Sequence, residues 1–126
     1  LCGAPETNAV LRRLAGQLPI RIEPEAYRVG ERTFPRKDHG LQFIYPSPIN
    51  PERCVVVVHG VPWAPQVSRN HKLDFLPDFI VYGRDTADDG TWFPTNRVLC
   101  AGYFDGQWRI SADSLWFGGS PAPTPP

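Results

Sequence analysis

Hydrophobic positions fall in short runs separated by polar, proline-bearing turns, and the period of each run predicts its element. Val10, Leu11, Leu14, Ala15 and Leu18 recur at helical spacing, while Arg12, Arg13 and Gln17 face the other way. Thr7 or Glu6 can cap the start of this helix, and Pro19 stops it. Ahead of it, Leu1-Cys2 reads as the tail of a strand, with Gly3 and Pro5 making the turn. Ile20 and Ile22 alternate with Arg21 and Glu23, the pattern of a half-exposed strand. "YRVGERTF" predicts a hairpin turning at Gly30-Glu31, and "GLQFIYP" a strand over 41–45 ended by Pro46.

The stiff, proline-rich loop "PSPINPER" leads into "CVVVVHG". Four consecutive valines predict a strand buried on both faces, as at the centre of a helix-covered sheet. "PWAPQVSRNHKLDFLP" is then a crossover with a short helix around 64–72, and "DFIVYG" a second buried strand over 78–83. "RVLCAGYF-DG-QWRI" is a hairpin with Asp105-Gly106 at its tip, and "SADSLWF" packs through Trp116 and Phe117. This order predicts an α/β fold: a small Rossmann- or flavodoxin-like sandwich whose mixed sheet has a parallel centre and antiparallel edge hairpins. One domain over 1–117 and a Pro/Gly-rich disordered tail over 118–126 complete the expected organisation. No internal repeat is visible.

Composition narrows the function more than it defines it. The 126 residues are one domain's worth, and 41% hydrophobic content fits a packed core. Thirteen basic and 13 acidic residues cancel, so no basic excess points to nucleic acid. The apolar runs are far shorter than the ~20 residues of a membrane-spanning helix. No signal peptide is visible, and a chain that starts at Leu1 without any Met fits a processed form or a piece of something longer. Cys2, Cys54 and Cys100 match no zinc spacing and read as small buried hydrophobes, with a disulfide between two of them as the alternative.

Candidate chemistry centres on His59-Gly60. A strand ending in His-Gly supplies an oxyanion-hole N–H in α/β-hydrolases, but that chemistry needs a G-x-S-x-G elbow and a later His and Asp. The chain has no such elbow, and after His59 the only histidine, His71, sits in the crossover. His59 therefore reads as a strand end or as a ligand-lining group. The "GAPETN" turn offers helix-start N–H groups to an anion, with Thr7 and Asn8 as added donors, or is an ordinary capped turn. It is neither a P-loop nor G-x-G-x-x-G. "RDTADDGTW" places Asp89 and Gly90 correctly for a calcium loop starting at Asp85, but Ala87 and Asn96 fill the third and twelfth positions, so a solvated acidic turn is the default. Asp38-His39 reads as surface.

If the strands are parallel, their carboxyl ends gather Gly3, Thr7, Asn8, Ser47, His59, Gly60 and Arg84 into one crevice suited to an anion or polar small molecule. His59 would be its acid/base and Arg84 its anion clamp. No cofactor motif is present, and an enzyme is left open without a catalytic set.

"GAPETNAVLRRLAGQLP", "GLQFIYPSPINPERCVVVVHG", "LPDFIVYG" and "VLCAGYFDGQWRI" together resemble an accessory C-terminal domain. That α/β domain follows the catalytic domain in large bacterial secreted hydrolases of the prolyl-oligopeptidase type. The resemblance covers roughly residues 1–110; its most specific pieces are Gly3…Thr7-Asn8, Tyr45-Pro46…Pro48…Asn50-Pro51 through the valines to Gly60, and Gly102-Tyr103-Phe104-Asp105…Trp108. It implies a non-catalytic, extracytoplasmic interaction module whose protein partner is an upstream hydrolase domain or a neighbouring subunit. Tyr27, Phe34, Trp63, Trp92, Trp108 and Trp116 are the aromatic candidates for its docking surface. A ligand-binding domain using the crevice and a structural subunit of an assembly, completed by a neighbour along an open sheet edge, are the competing readings.

Overall fold

The computed structural model describes residues 1–65, 73, 76–86 and 95–118. One helix, α1 (Ala9–Leu14), continues into a 3-10 turn (Ala15–Gln17). Three short strands follow: β1 (Ile20–Ile22), β2 (Ala26–Val29) and β3 (Arg32–Pro35). Five longer ones come next: β4 (His39–Pro46), β5 (Cys54–Gly60), β6 (Phe79–Thr86), β7 (Asn96–Phe104) and β8 (Ile110–Phe117). They form two antiparallel sheets, ordered β1-β2-β3 and β5-β4-β6-β7-β8.

This overturns the Rossmann- or flavodoxin-like α/β expectation. All strand pairs in both sheets are antiparallel, and among the described residues parallel pairing is confined to a single bridge, Cys2 to Val58. β5 and β6 do point the same way, but β4 stands between them and runs against both. The chain folds back from β4 into β5 through the proline loop, then passes to the far side of β4 before β6. The valine run is also not a central strand. β5 lies at the sheet's edge; Val57 alone of the four is buried, and Val56 is 48% exposed.

Amphipathic alternation explains the layers. Leu41 and Phe43 of β4, Val57 of β5, Phe79 and Val81 of β6, and Cys100 and Phe104 of β7 share the inner face of the large sheet. The small sheet and α1 cover that face with Ile20, Tyr27, Val29, Leu11 and Leu14. At β8 the two sheets meet through Phe34 stacked on Phe117, with the Arg32 guanidinium 4.0 Å over the Phe117 ring. A smaller cluster lies on the outer face, where Val61, Trp63 and Ala64 pack on Ile80 and Tyr82.

The helix is shorter than its periodicity predicts. Gly16 weakens the last turn and Pro19 drives Leu18 to an extended ψ of 145°, so a 3-10 turn closes it. Leu18 still reaches the core. The hairpin turns at Gly30-Glu31 and at Asp105-Gly106 are both present. In the second, the left-handed residue is Trp108 (φ 60°), and Asp105 Oδ1 accepts the Gln107 and Arg109 N–H groups. The expected helix around 64–72 lies mostly outside the described residues, as do Asp89, Gly90, Trp92, His71 and the tail beyond Gly118.

Candidate functional site

Antiparallel pairing splits the expected crevice. Gly40 pairs with Gly60 and His39 with Gly83, so His59-Gly60 and Gly83-Arg84 do lie at one end of the sheet. Gly3 joins them, because its N–H donates to Val58 O at 3.0 Å. Ser47 is at the opposite end, where Pro46 pairs with Cys54. There its hydroxyl accepts the Ile49 and Asn50 N–H groups and shapes the proline loop.

The "GAPETN" turn spends its polar groups on itself. Asn8 is the N-cap: its Oδ1 accepts the Leu11 N–H at 3.0 Å and its Nδ2 donates to Cys2 O. Thr7 closes the turn instead, its Oγ1 accepting the Ala4 N–H. Arg84 is exposed and ion-paired to Asp38 at 3.2 Å. The calcium pattern loses its twelfth position, because Asn96 is buried and its amide bonds Ala64 N, Gly83 O and Pro62 O. Among the described residues no group of three His, Cys, Asp or Glu side chains is placed to hold a metal.

A cluster that the sequence did not announce surrounds His59. The Tyr27 hydroxyl lies 2.5 Å from His59 Nδ1 and 3.3 Å from His39 O. Beside them, Arg36 clamps both carboxylate oxygens of Glu6 at 3.0 and 3.2 Å and also donates to Glu23 O. Arg12 of α1 holds the same turn through Pro5 O and Glu6 O. Gly60 (φ 85°) lets the chain pass this close, since a Cβ there would lie 2.7 Å from the Tyr27 hydroxyl.

Burial, then the Arg36 charge, hold the His59 pKa below the usual histidine range, with Glu6 opposing. Burial pushes Tyr27 up to about 12. The hydrogen bond from Arg36 lowers Glu6. A neutral imidazole bonded to a neutral phenol, next to a saturated ion pair, is a tie between the N-terminal turn and both sheets. Among the described residues no serine or cysteine side chain is hydrogen-bonded to it.

The outer face of the large sheet is different in character. Val56 pairs with Ile44, and Ala101 lies opposite Trp116. Gly102 and Phe104 point inward, which turns Tyr103 outward. Val56, Leu73, Tyr103 and Trp116 are 48%, 53%, 56% and 41% exposed. Gln42, Ile44, Val56, Leu73, Leu76 and Ile80 line an open, mostly apolar groove across this face. Of the expected docking aromatics, Trp108 and Trp116 are exposed, Tyr27 and Trp63 are buried, and Phe34 is half-buried. Tyr103 and Val56 were not among the docking candidates read from the sequence; strand alternation around Gly102 would have found the first.

The described residues define a class: a two-sheet, mostly antiparallel β domain with one short helix, an internally satisfied polar cluster and an apolar outer face. No family model, no curated protein and no solved structure matches the chain. No helix among the described residues is long and apolar enough to cross a membrane.

Proposed function

We propose that this domain is a non-catalytic interaction module that docks a folded protein partner through the outer face of its five-stranded sheet. The observation that carries this reading is the exposure of Val56, Leu73, Tyr103 and Trp116 on that face, beside the groove of Ile44 and Ile80. Exposed apolar side chains with aromatic anchors on one sheet face are the chemistry of a protein interface. The polar cluster at His59 fits the same reading, because Tyr27 and His59 bond each other and Arg36 and Glu6 are ion-paired. The resemblance to a hydrolase-associated domain supplies the partner class, a neighbouring catalytic domain or subunit; the α/β architecture that came with it does not hold.

Photocrosslinking of the native gene product tests this. A photoreactive residue at Val56 should give adducts to sequence outside these 126 residues, or to another subunit. The same residue placed at Arg21, on the small sheet, should give far fewer. Equal yields from the two positions would sink the reading.

A further inference from the structure

We infer that Arg21 and Arg28 form an oxyanion site on the outer face of the small sheet, suited to a phosphate group. The register sets the two arginines directly opposite one another across β1 and β2. Their strand neighbours Ile20, Tyr27 and Val29 are buried in the core, so alternation puts both arginine side chains on the solvent side. There Pro19, Arg21, Glu23, Arg28 and Gly30 line an open, mostly polar hollow of about 490 Å³. Gly30 sits at the hairpin turn with φ 59° and adds no side chain to fill it.

Like charges directly opposite in a sheet cost stability, because their Cβ atoms stand only about 5 Å apart. The hollow holds one carboxylate against its two cations. Glu23 Oε1 accepts the Arg28 Nε–H at 2.9 Å, and the Glu23 N–H donates to Ala26 O at 2.8 Å, which closes the turn that carries it. The Nη groups of Arg28 take no part in that pair. Among the described residues nothing bonds the Arg21 guanidinium. Arg84, by contrast, has its charge matched by Asp38. The hollow is thus left with one positive charge and two sets of guanidinium donors.

A guanidinium stays charged at any working pH and presents paired N–H donors in one plane, which match two oxygens of a phosphate. A phosphate held between the strands accepts from Arg21 on one side and from the Arg28 Nη groups on the other, and it relieves the repulsion between them. Free phosphate and a phosphorylated side chain share this chemistry. The site lies on the small sheet and does not rest on docking at the large sheet's outer face.

NMR titration of the 126-residue chain with inorganic phosphate tests the site through the Arg21 and Arg28 Nε–Hε signals, at about pH 7.5, where phosphate is mostly dianionic. Chloride at matched ionic strength controls for screening. Both signals should follow one saturable curve that chloride does not reproduce. Arg21→Gln should weaken binding by roughly tenfold or more, since it removes half of the grip. Arg53→Gln takes the same charge from the proline loop and should leave the affinity within about twofold. Arg21→Lys keeps the charge but loses the paired donors, and should weaken binding by about threefold or more. A shift without saturation, an equal response to chloride, full affinity in Arg21→Gln or an equal loss in Arg53→Gln overturns the proposal. If Arg21→Gln does not fold, Arg21→Lys decides, and unchanged affinity there overturns it. Tighter binding of acetyl-phosphoserine-amide than of inorganic phosphate assigns the site to a phosphorylated chain; equal or weaker binding assigns it to free phosphate.

Discussion

The ring of Tyr82 fills the space that Gly40 leaves on the outer face: a Cβ on Gly40 would lie 2.5 Å from Tyr82 Cε2. From there the Tyr82 hydroxyl donates to Val61 O at 2.8 Å and the ring packs edge-on against Trp63, 5.1 Å away. One missing side chain in β4 thus fixes where the segment after β5 lies. Gly40→Ala should destabilise the fold by about 1–3 kcal/mol, the usual cost of overpacking. Urea titration would measure it, and the Trp63 environment should change with it. An unchanged midpoint would mean that Tyr82 moves aside freely.

Asn96 is the second pin on that segment. It is buried, and its side chain bonds Ala64 N at 2.7 Å, Gly83 O at 2.8 Å and Pro62 O at 3.3 Å. Asn96→Ala removes all three bonds together. The expected loss is about 2–4 kcal/mol, from buried polar groups deprived of a partner. Asn96→Asp should cost at least as much, because a carboxylate cannot donate to the two carbonyls. Thermal unfolding of both variants checks the order.

The cysteines divide two to one. Cys2 and Cys54 are exposed free thiols, and Cys100 is buried, its pKa pushed up to about 11 by desolvation. Cys2 pairs with Val58, four residues along β5 from Cys54, which separates the two by about 13 Å, beyond the ~7 Å limit of a disulfide. A thiol reagent should therefore titrate two groups quickly in the native protein and the third only on unfolding. Slow reaction of all three would contradict the placement of Cys2 and Cys54.

Local elements were readable from the sequence; their arrangement was not. The helical spacing of Leu11 and Leu14, the alternation of Ile20 and Ile22, and the turns at Gly30 and Asp105 each act over a few residues, and each produced the element it implies. Strand partners are set by distant packing. The valine run shows this: β-branched residues favour a strand, but nothing in Val55–Val58 says which face or edge will be covered. Two buried strands joined by a crossover, "CVVVVHG" and "DFIVYG", predict a parallel centre. The insertion of β4 between β5 and β6 removed it.

The candidate site was legible only in part for the same reason. His59 stood out at its strand end, yet its partners Tyr27, Arg36 and Glu6 come from segments 23 to 53 residues away. The exposed outer face needed the sheet order before Val56, Tyr103 and Trp116 could be seen to share it.

Hydroxyl-radical footprinting tests the central claim, that this face is an interface. Oxidation of Trp116 and Tyr103 would be compared between the isolated 126-residue chain and the native gene product, with exposed Trp108 as the internal control. Both should be several-fold less oxidised in the native product, while Trp108 changes little. Equal oxidation of Trp116 and Tyr103 in the two samples would contradict the account.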